Sequence, residues 1–328
     1  MDFGLILNFI VLAAGFLALV KGADWFVDGA AGIADKLGVP QLIIGLTIVA
    51  MGTSAPETAV SLTAAFNDSA ALAVGNIVGS NIINIFLLLG ITSLICPLAV
   101  QKSTVKFEMP FVVVISIIFM FLGLGNGVFK GFDAPDGVLS RFDGFILLGL
   151  FILYLSYLFY MVKHGFAQPE EVPDGKKSNC LKLCFILIVG LALIIAGSNL
   201  TISSASKIAQ SFGVSRRFIG LTIVAFGTSL PELVTCIAAA LKKNADIAIG
   251  NIVGSNIFNI LFVAGISSLI AVVPYQGKFF SDSLVAIFSA AVLLFCVAFN
   301  RKKVLSRMAG IVMLVFYAAY FAWLLKTV

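Results

Sequence analysis

Two glutamates, Glu57 and Glu232, stand inside long apolar runs, each directly after a proline (Pro56, Pro231) and shortly after a threonine and a serine (Thr53 and Ser54; Thr228 and Ser229). The two stretches read GLTIVAMGTSAPET from Gly45 and GLTIVAFGTSLPEL from Gly220. An ionisable side chain at membrane depth is costly, and its presence there points to a working site. A proline has no backbone N–H, so within a helix Pro231 leaves the carbonyl of Gly227 without its partner and bends the chain. Freed carbonyls, two hydroxyls and one carboxylate are hard oxygen donors, a set that suits calcium or sodium rather than zinc or copper.

The elements that carry these residues must cross a membrane. Of 328 residues, 60% are hydrophobic and 11% charged, and the mean hydropathy is +1.11, outside the range of soluble domains. The start, MDFGLILNF, lacks a basic n-region and a cleavage site, and reads as the first span. Apolar runs long enough to cross about 30 Å of hydrocarbon fall near 3–33, 41–66, 70–98, 109–124 and 143–162, then near 181–208, 216–241, 246–272, 281–299 and 307–325. Between the two sets lies the polar segment HGFAQPEEVPDGKKSN (164–179), which reads as a linker. The expected organisation is a first five-helix repeat over 1–162, a linker over 163–180 and a second repeat over 181–328. The five cysteines (Cys96, Cys180, Cys184, Cys236, Cys296) form no disulfide or zinc pattern. A net charge of +5 is what lysines and arginines flanking the spans would give, and does not suggest nucleic acid.

The halves repeat at an offset of 175 residues: 45–95 aligned without gaps to 220–270 gives 30 identities in 51 positions. Five spans per half is an odd number, so the second half would enter the membrane with the opposite orientation. In such inverted repeats the ion sites lie at the repeat interface, on discontinuous helices near the midplane. The predicted fold class is therefore an all-α polytopic membrane protein of ten transmembrane helices in two inverted repeats, with broken helices at the central ion sites. Thirteen lysines and arginines flank one side and seven the other, which predicts both termini outside and the linker in the cytoplasm, although Arg216 and Arg217 argue otherwise locally.

A second motif follows each first one: GNIVGSNIIN (75–84) and GNIVGSNIFN (250–259). Ser80 and Asn84, like Ser255 and Asn259, are four apart and share a helix face. The G-x-x-x-G spacing at 75/79 and 250/254 reads as close helix packing.

Together these motifs resemble the two alpha repeats (about 45–95 and 220–270) of the calcium/cation antiporter superfamily, closest to its prokaryotic sodium/calcium exchanger branch. The resemblance implies a plasma-membrane antiporter that exchanges about three sodium ions for one calcium by alternating access. It implies that Glu57 and Glu232 ligate calcium and share sodium, with Thr53 and Thr228 beside them. Ser54, Ser80, Ser229 and Ser255 and the carbonyls of Ala50 and Ala225 would complete the sodium sites, with Asn84 and Asn259 at the middle. The transported ions and the bilayer are the expected partners; no cofactor and no obligatory protein partner is evident. Potassium-dependent members typically carry aspartate at the position of Asn259, so the asparagine argues against potassium co-transport.

Other readings exist for each residue. A lone serine or threonine in a membrane helix ordinarily bonds its own backbone or a neighbour, and a glutamate can sit protonated and hydrogen-bonded. Lys21 and Asp24 read as a neutralising pair, and Asp28 and Asp35 as interfacial. Two glutamates could also exchange two protons for one calcium. An intramembrane enzyme is not expected: the single histidine, His164, lies in the linker, leaving no Ser-His dyad.

Overall fold

The computed structural model describes residues 3–66, 70–125, 137–164, 179–213 and 225–327. Most of the expected linker, together with Arg216 and Arg217, lies outside the described residues. The chain is a multi-pass membrane protein: among the described residues eight helices are long and apolar enough to cross a bilayer, and nine if one bent pair counts as a span. These are α1 (Phe3–Leu37), the bent pair α2 and α3 (Gln41–Thr53 and Ala55–Phe66, meeting at 50°), and α4 (Ala71–Ile95). After the short α5 (Lys102–Lys106) come α6 (Glu108–Leu124) and α7 (Arg141–Lys163). The second half supplies α8 (Cys180–Ser211), the short α9 (Ala225–Thr228) and α10 (Leu230–Leu241), α11 (Ala245–Ile270), α12 (Lys278–Ala298) and α13 (Arg307–Thr327). The run predicted near 216–241 is described only from Ala225 onward.

The described spans are all helical, as expected, and four short strands of two or three residues lie between them. β1 (Leu98–Ala99) pairs antiparallel with β4 (Val304–Leu305), and β2 (Gly137–Leu139) with β3 (Val273–Tyr275). These are places where chain leaving a helix satisfies its backbone groups against a neighbour instead of water. At the end of β3, the buried Tyr275 hydroxyl bonds Ser283 Oγ at 2.6 Å and the Phe279 carbonyl at 3.1 Å, and burial pushes the phenol up to about 12.

Local signals account for the helix ends. α1 stops at Gly38, whose φ of +63° suits the left-handed cap position, with Pro40 beyond it. α7 starts with a capping box: Ser140 Oγ accepts from the Asp143 N–H at 3.3 Å while Asp143 Oδ2 accepts from the Ser140 N–H at 2.7 Å.

The chain forms two compact units, one from Met1–Pro56 with Pro169–Asn251, the other from Glu57–Gln168 with Ile252–Val328. Each draws on both halves of the sequence. In the first unit α1 and α8 pack along a seam of glycines seven apart, Gly15 and Gly22 facing Gly190 and Gly197. A Cβ at Gly22 would lie 2.8 Å from the Gly190 carbonyl, and one at Gly197 would lie 2.7 Å from the Gly15 carbonyl. α1 has 35 residues, about 52 Å at helical rise, so it tilts or projects beyond a hydrocarbon layer of about 30 Å.

In the second unit the halves interlock. α7 packs on α11, where a Cβ at Gly144 would come 2.8 Å from the Gly265 carbonyl; α13 packs on α4, where one at Gly310 would come 2.8 Å from the Gly90 carbonyl. Gly90 and Gly265 are themselves 175 apart, so the duplication reaches into the packing. Of the G-x-x-x-G glycines, Gly250 in the first unit brings backbones together, a Cβ there lying 2.9 Å from the Leu42 carbonyl; among the described residues one at Gly75 would meet the Phe279 ring and one at Gly79 nothing within 4 Å.

The two helices carrying the second motif are the most enclosed of the long ones. The most apolar windows of α4 and α11 are 78% and 94% buried, against 11–33% for α1, α7, α8, α12 and α13. Polar side chains concentrated on them have therefore been withdrawn from lipid.

Candidate functional site

Both helix breaks fall on a serine. Ser54 (φ −81°, ψ 12°) ends α2, and Ser229 (φ −89°, ψ 5°) precedes α10, both in the sparsely populated bridge region. Each proline is then the second residue of the new helix, where a missing N–H costs nothing, and each glutamate is the third. Glu57 and Glu232 are buried in the first turns of α3 and α10, where unpaired N–H groups favour negative charge. The carbonyl of Gly227, expected to lose its partner to Pro231, is satisfied from α8: Ser198 Oγ donates to it at 3.0 Å.

In the first unit the structure brings several expected residues together. Ser54 Oγ donates to Glu232 Oε1 at 2.8 Å, so the serine of one repeat holds the acid of the other. Thr53 Oγ1 donates to Asn251 Oδ1 at 2.9 Å, and Asn251 Nδ2 donates to the backbone carbonyl of Glu232 at 3.4 Å. The Ala50 carbonyl accepts from the Ser54 N–H at 3.0 Å and from Thr53 Oγ1 at 3.3 Å. Thr228 and Ser229 are buried, and Ala225 opens α9. The pairing of Lys21 with Asp24 is corrected: the partner of Asp24 is Lys242 at the end of α10, 2.7 Å away and equally close to Asp28.

In the second unit Asn76 Nδ2 donates to the backbone carbonyl of Glu57 at 3.0 Å and to Ser61 Oγ at 2.9 Å. Asn76 and Asn251 are repeat equivalents, each holding the glutamate carbonyl of its own repeat. Ser80, Asn84, Ser255 and Asn259 are all buried. Asn84 Nδ2 donates to Asn256 Oδ1 at 3.0 Å and Asn259 Nδ2 to Asn81 Oδ1 at 3.3 Å. Both helices widen there into π turns, over Ile83–Leu89 and Asn259–Val263, the kind of irregularity that gathers at working sites.

Sequence reasoning passed over Asn76, Asn81, Asn251 and Asn256, although GNIVGSNI recurs intact with both asparagines; that recurrence was the available signal. It had no means of finding Ser198, whose repeat equivalent is Ala23. It also missed Glu108, a buried acid at the start of α6 that accepts from the Tyr157 hydroxyl at 2.9 Å; the second half has a like pair, Tyr320 on Asp282, also at 2.9 Å.

Apolar helices broken at buried acids and lined by hydroxyl and amide oxygens are the equipment of a membrane ion transporter, not of an enzyme. The family described as sodium/calcium exchanger protein matches residues 7–160 and 182–326, and this chain belongs to it. It is 30% identical over 350 residues to the sodium/calcium exchanger MaX1 of Methanosarcina acetivorans, covering 95% of this chain and 97% of that one. It is 38% identical over 268 residues to the inner membrane protein YrbG of Escherichia coli, covering 79% of each. A solved structure of the sodium-calcium exchanger NCX_Mj, soaked with 10 mM Na+ and zero Ca2+, superposes with a TM-score of 0.81 at 31% identity, covering 97% of this chain and 99% of that one.

Proposed function

We propose that this protein exchanges about three sodium ions for one calcium ion across a plasma membrane by alternating access. Glu57 and Glu232 supply the charge; Thr53, Thr228, Ser54, Ser229, Ser80, Ser255, Asn84 and Asn259, with the carbonyls of Ala50 and Ala225, supply neutral oxygens. The observation that carries the reading is the duplicated setting of the two buried acids. Each is the third residue of a helix that restarts after a serine break, and each has its backbone carbonyl held by the repeat-equivalent asparagine.

Charge arithmetic then constrains the coupling. Two ionised carboxylates are neutralised by one calcium, whereas three sodium ions leave the site at +1. A charge carried across the membrane exchanges about 2.3 kcal/mol with a 100 mV potential, so three-to-one exchange is electrogenic. With asparagine at 259, no potassium is required. The test is calcium-45 flux in proteoliposomes clamped at different potentials under fixed sodium gradients. A reversal point that moves with voltage and ignores potassium is expected; one that ignores voltage refutes the coupling.

We read the chain as ten spans in two inverted repeats, joined by a cytoplasmic linker over 163–180, with both termini outside. Single cysteines at Lys102, where α5 begins, and at Arg141, where α7 begins, should label from the inside and the outside respectively.

A further inference from the structure

Four asparagines of the second unit, two from each repeat, form a closed exchange of hydrogen bonds. Asn81 and Asn256 use both ends of their side chains. The amide of Asn256 donates to the Asn81 backbone carbonyl at 3.3 Å, and that of Asn81 to the Asn256 carbonyl at 3.5 Å. Their oxygens accept from Asn259 and Asn84, at 3.3 and 3.0 Å. All four residues are 0–4% exposed.

An asparagine side chain is a donor at one end and an acceptor at the other, and a half-turn about its last bond exchanges them. Here the NH2 ends of Asn84 and Asn259 are held, so their rotation is fixed and the oxygens face the other way. Those two oxygens, Asn84 Oδ1 and Asn259 Oδ1, are buried and accept no hydrogen bond among the described residues. Two fixed, neutral acceptors related by the repeat suit a cation; the reversed amides would present N–H groups and repel one.

We infer that Asn81 and Asn256 are positioning residues, which set the amides of Asn84 and Asn259 so that oxygen, not nitrogen, meets the transported ion. The inference rests on the exchange reading above and deepens it. Neither asparagine would touch the ion, since both ends of each are engaged. The effect of removing one should therefore fall on ion affinity and not on the maximal rate.

The experiment measures sodium-driven calcium-45 uptake in proteoliposomes for wild type, Asn81→Leu and Asn256→Leu, with Asn81→Ser and Asn256→Ser as smaller changes. Thermal unfolding is followed in parallel. The expected result is a half-saturation concentration for sodium raised about tenfold, the scale of one net hydrogen bond, with a maximal rate within about twofold of wild type and the serine variants intermediate. Unchanged half-saturation in folded variants overturns the inference, as does a loss of folded protein in all four, which would assign the asparagines a purely structural part. Failure of the wild type to take up calcium against sodium would instead sink the exchange reading itself.

Discussion

Ser198 donates its hydroxyl to the one carbonyl that Pro231 deprives of its helical partner, that of Gly227, at 3.0 Å. The second helix break is thus tied to α8 by a bond that the first break does not share, since Ala23 stands at the equivalent place. Replacing Ser198 by alanine leaves a buried acceptor without a donor and should destabilise the protein by about 1–3 kcal/mol. Thermal unfolding in detergent measures it; an unchanged midpoint would mean that the Gly227 carbonyl needs no partner.

The paired acids give a second expectation. A doubly charged hard cation needs anionic oxygen, and each repeat contributes one such residue to the proposed site. Glu57→Gln and Glu232→Gln, each removing one charge while keeping size, should bring calcium transport near background with the fold retained. Wild-type rates in either variant would move the ion site elsewhere.

The glycine seam makes a contrast within one molecule. Gly190→Val should destabilise by about 1–3 kcal/mol or more, because even its Cβ would lie 2.6 Å from the Phe26 backbone nitrogen. Gly79→Ala, with no described residue within 4 Å of the added Cβ, should leave the unfolding midpoint unchanged or raise it slightly, alanine being the better helix former by about 0.5–1 kcal/mol. Equal losses in the two variants would contradict the packing described here.

Lys242 bridges two aspartates of α1, but its side chain is 24% exposed and theirs 45% and 60%. Solvent screens such pairs, so Lys242→Ala should cost no more than about 1 kcal/mol, and less in high salt. A loss several times larger that persists in high salt would show that the cluster is structural.

Most of what could be read from the sequence came from polar residues that the duplication wrote twice. The breaks at Ser54 and Ser229 and the burial of Glu57, Glu232, Asn84 and Asn259 all follow from polar residues recurring in apolar sequence. The partners escaped where they came from single-copy positions, as with Ser198, or where hydrophobicity could not separate the choices. Lys242 reaching Asp24 depends on α10 ending beside α1, which no local spacing encodes. The four strands are too short for a two-residue period to register, and the glycine seam is spread over heptads that read as ordinary apolar helix.

The π turns bear on how this chain can vary. A helix winds about 100° per residue, and a π turn accommodates one residue more than the α-helix it interrupts. Removing a single residue from Ile83–Leu89 would let the segment relax to α geometry without breaking it, the flanking helix surviving on either side. Among homologues, a one-residue alignment gap in this buried stretch would therefore signal a change of winding, and such indels can be sought within a transmembrane helix, where they are ordinarily discounted.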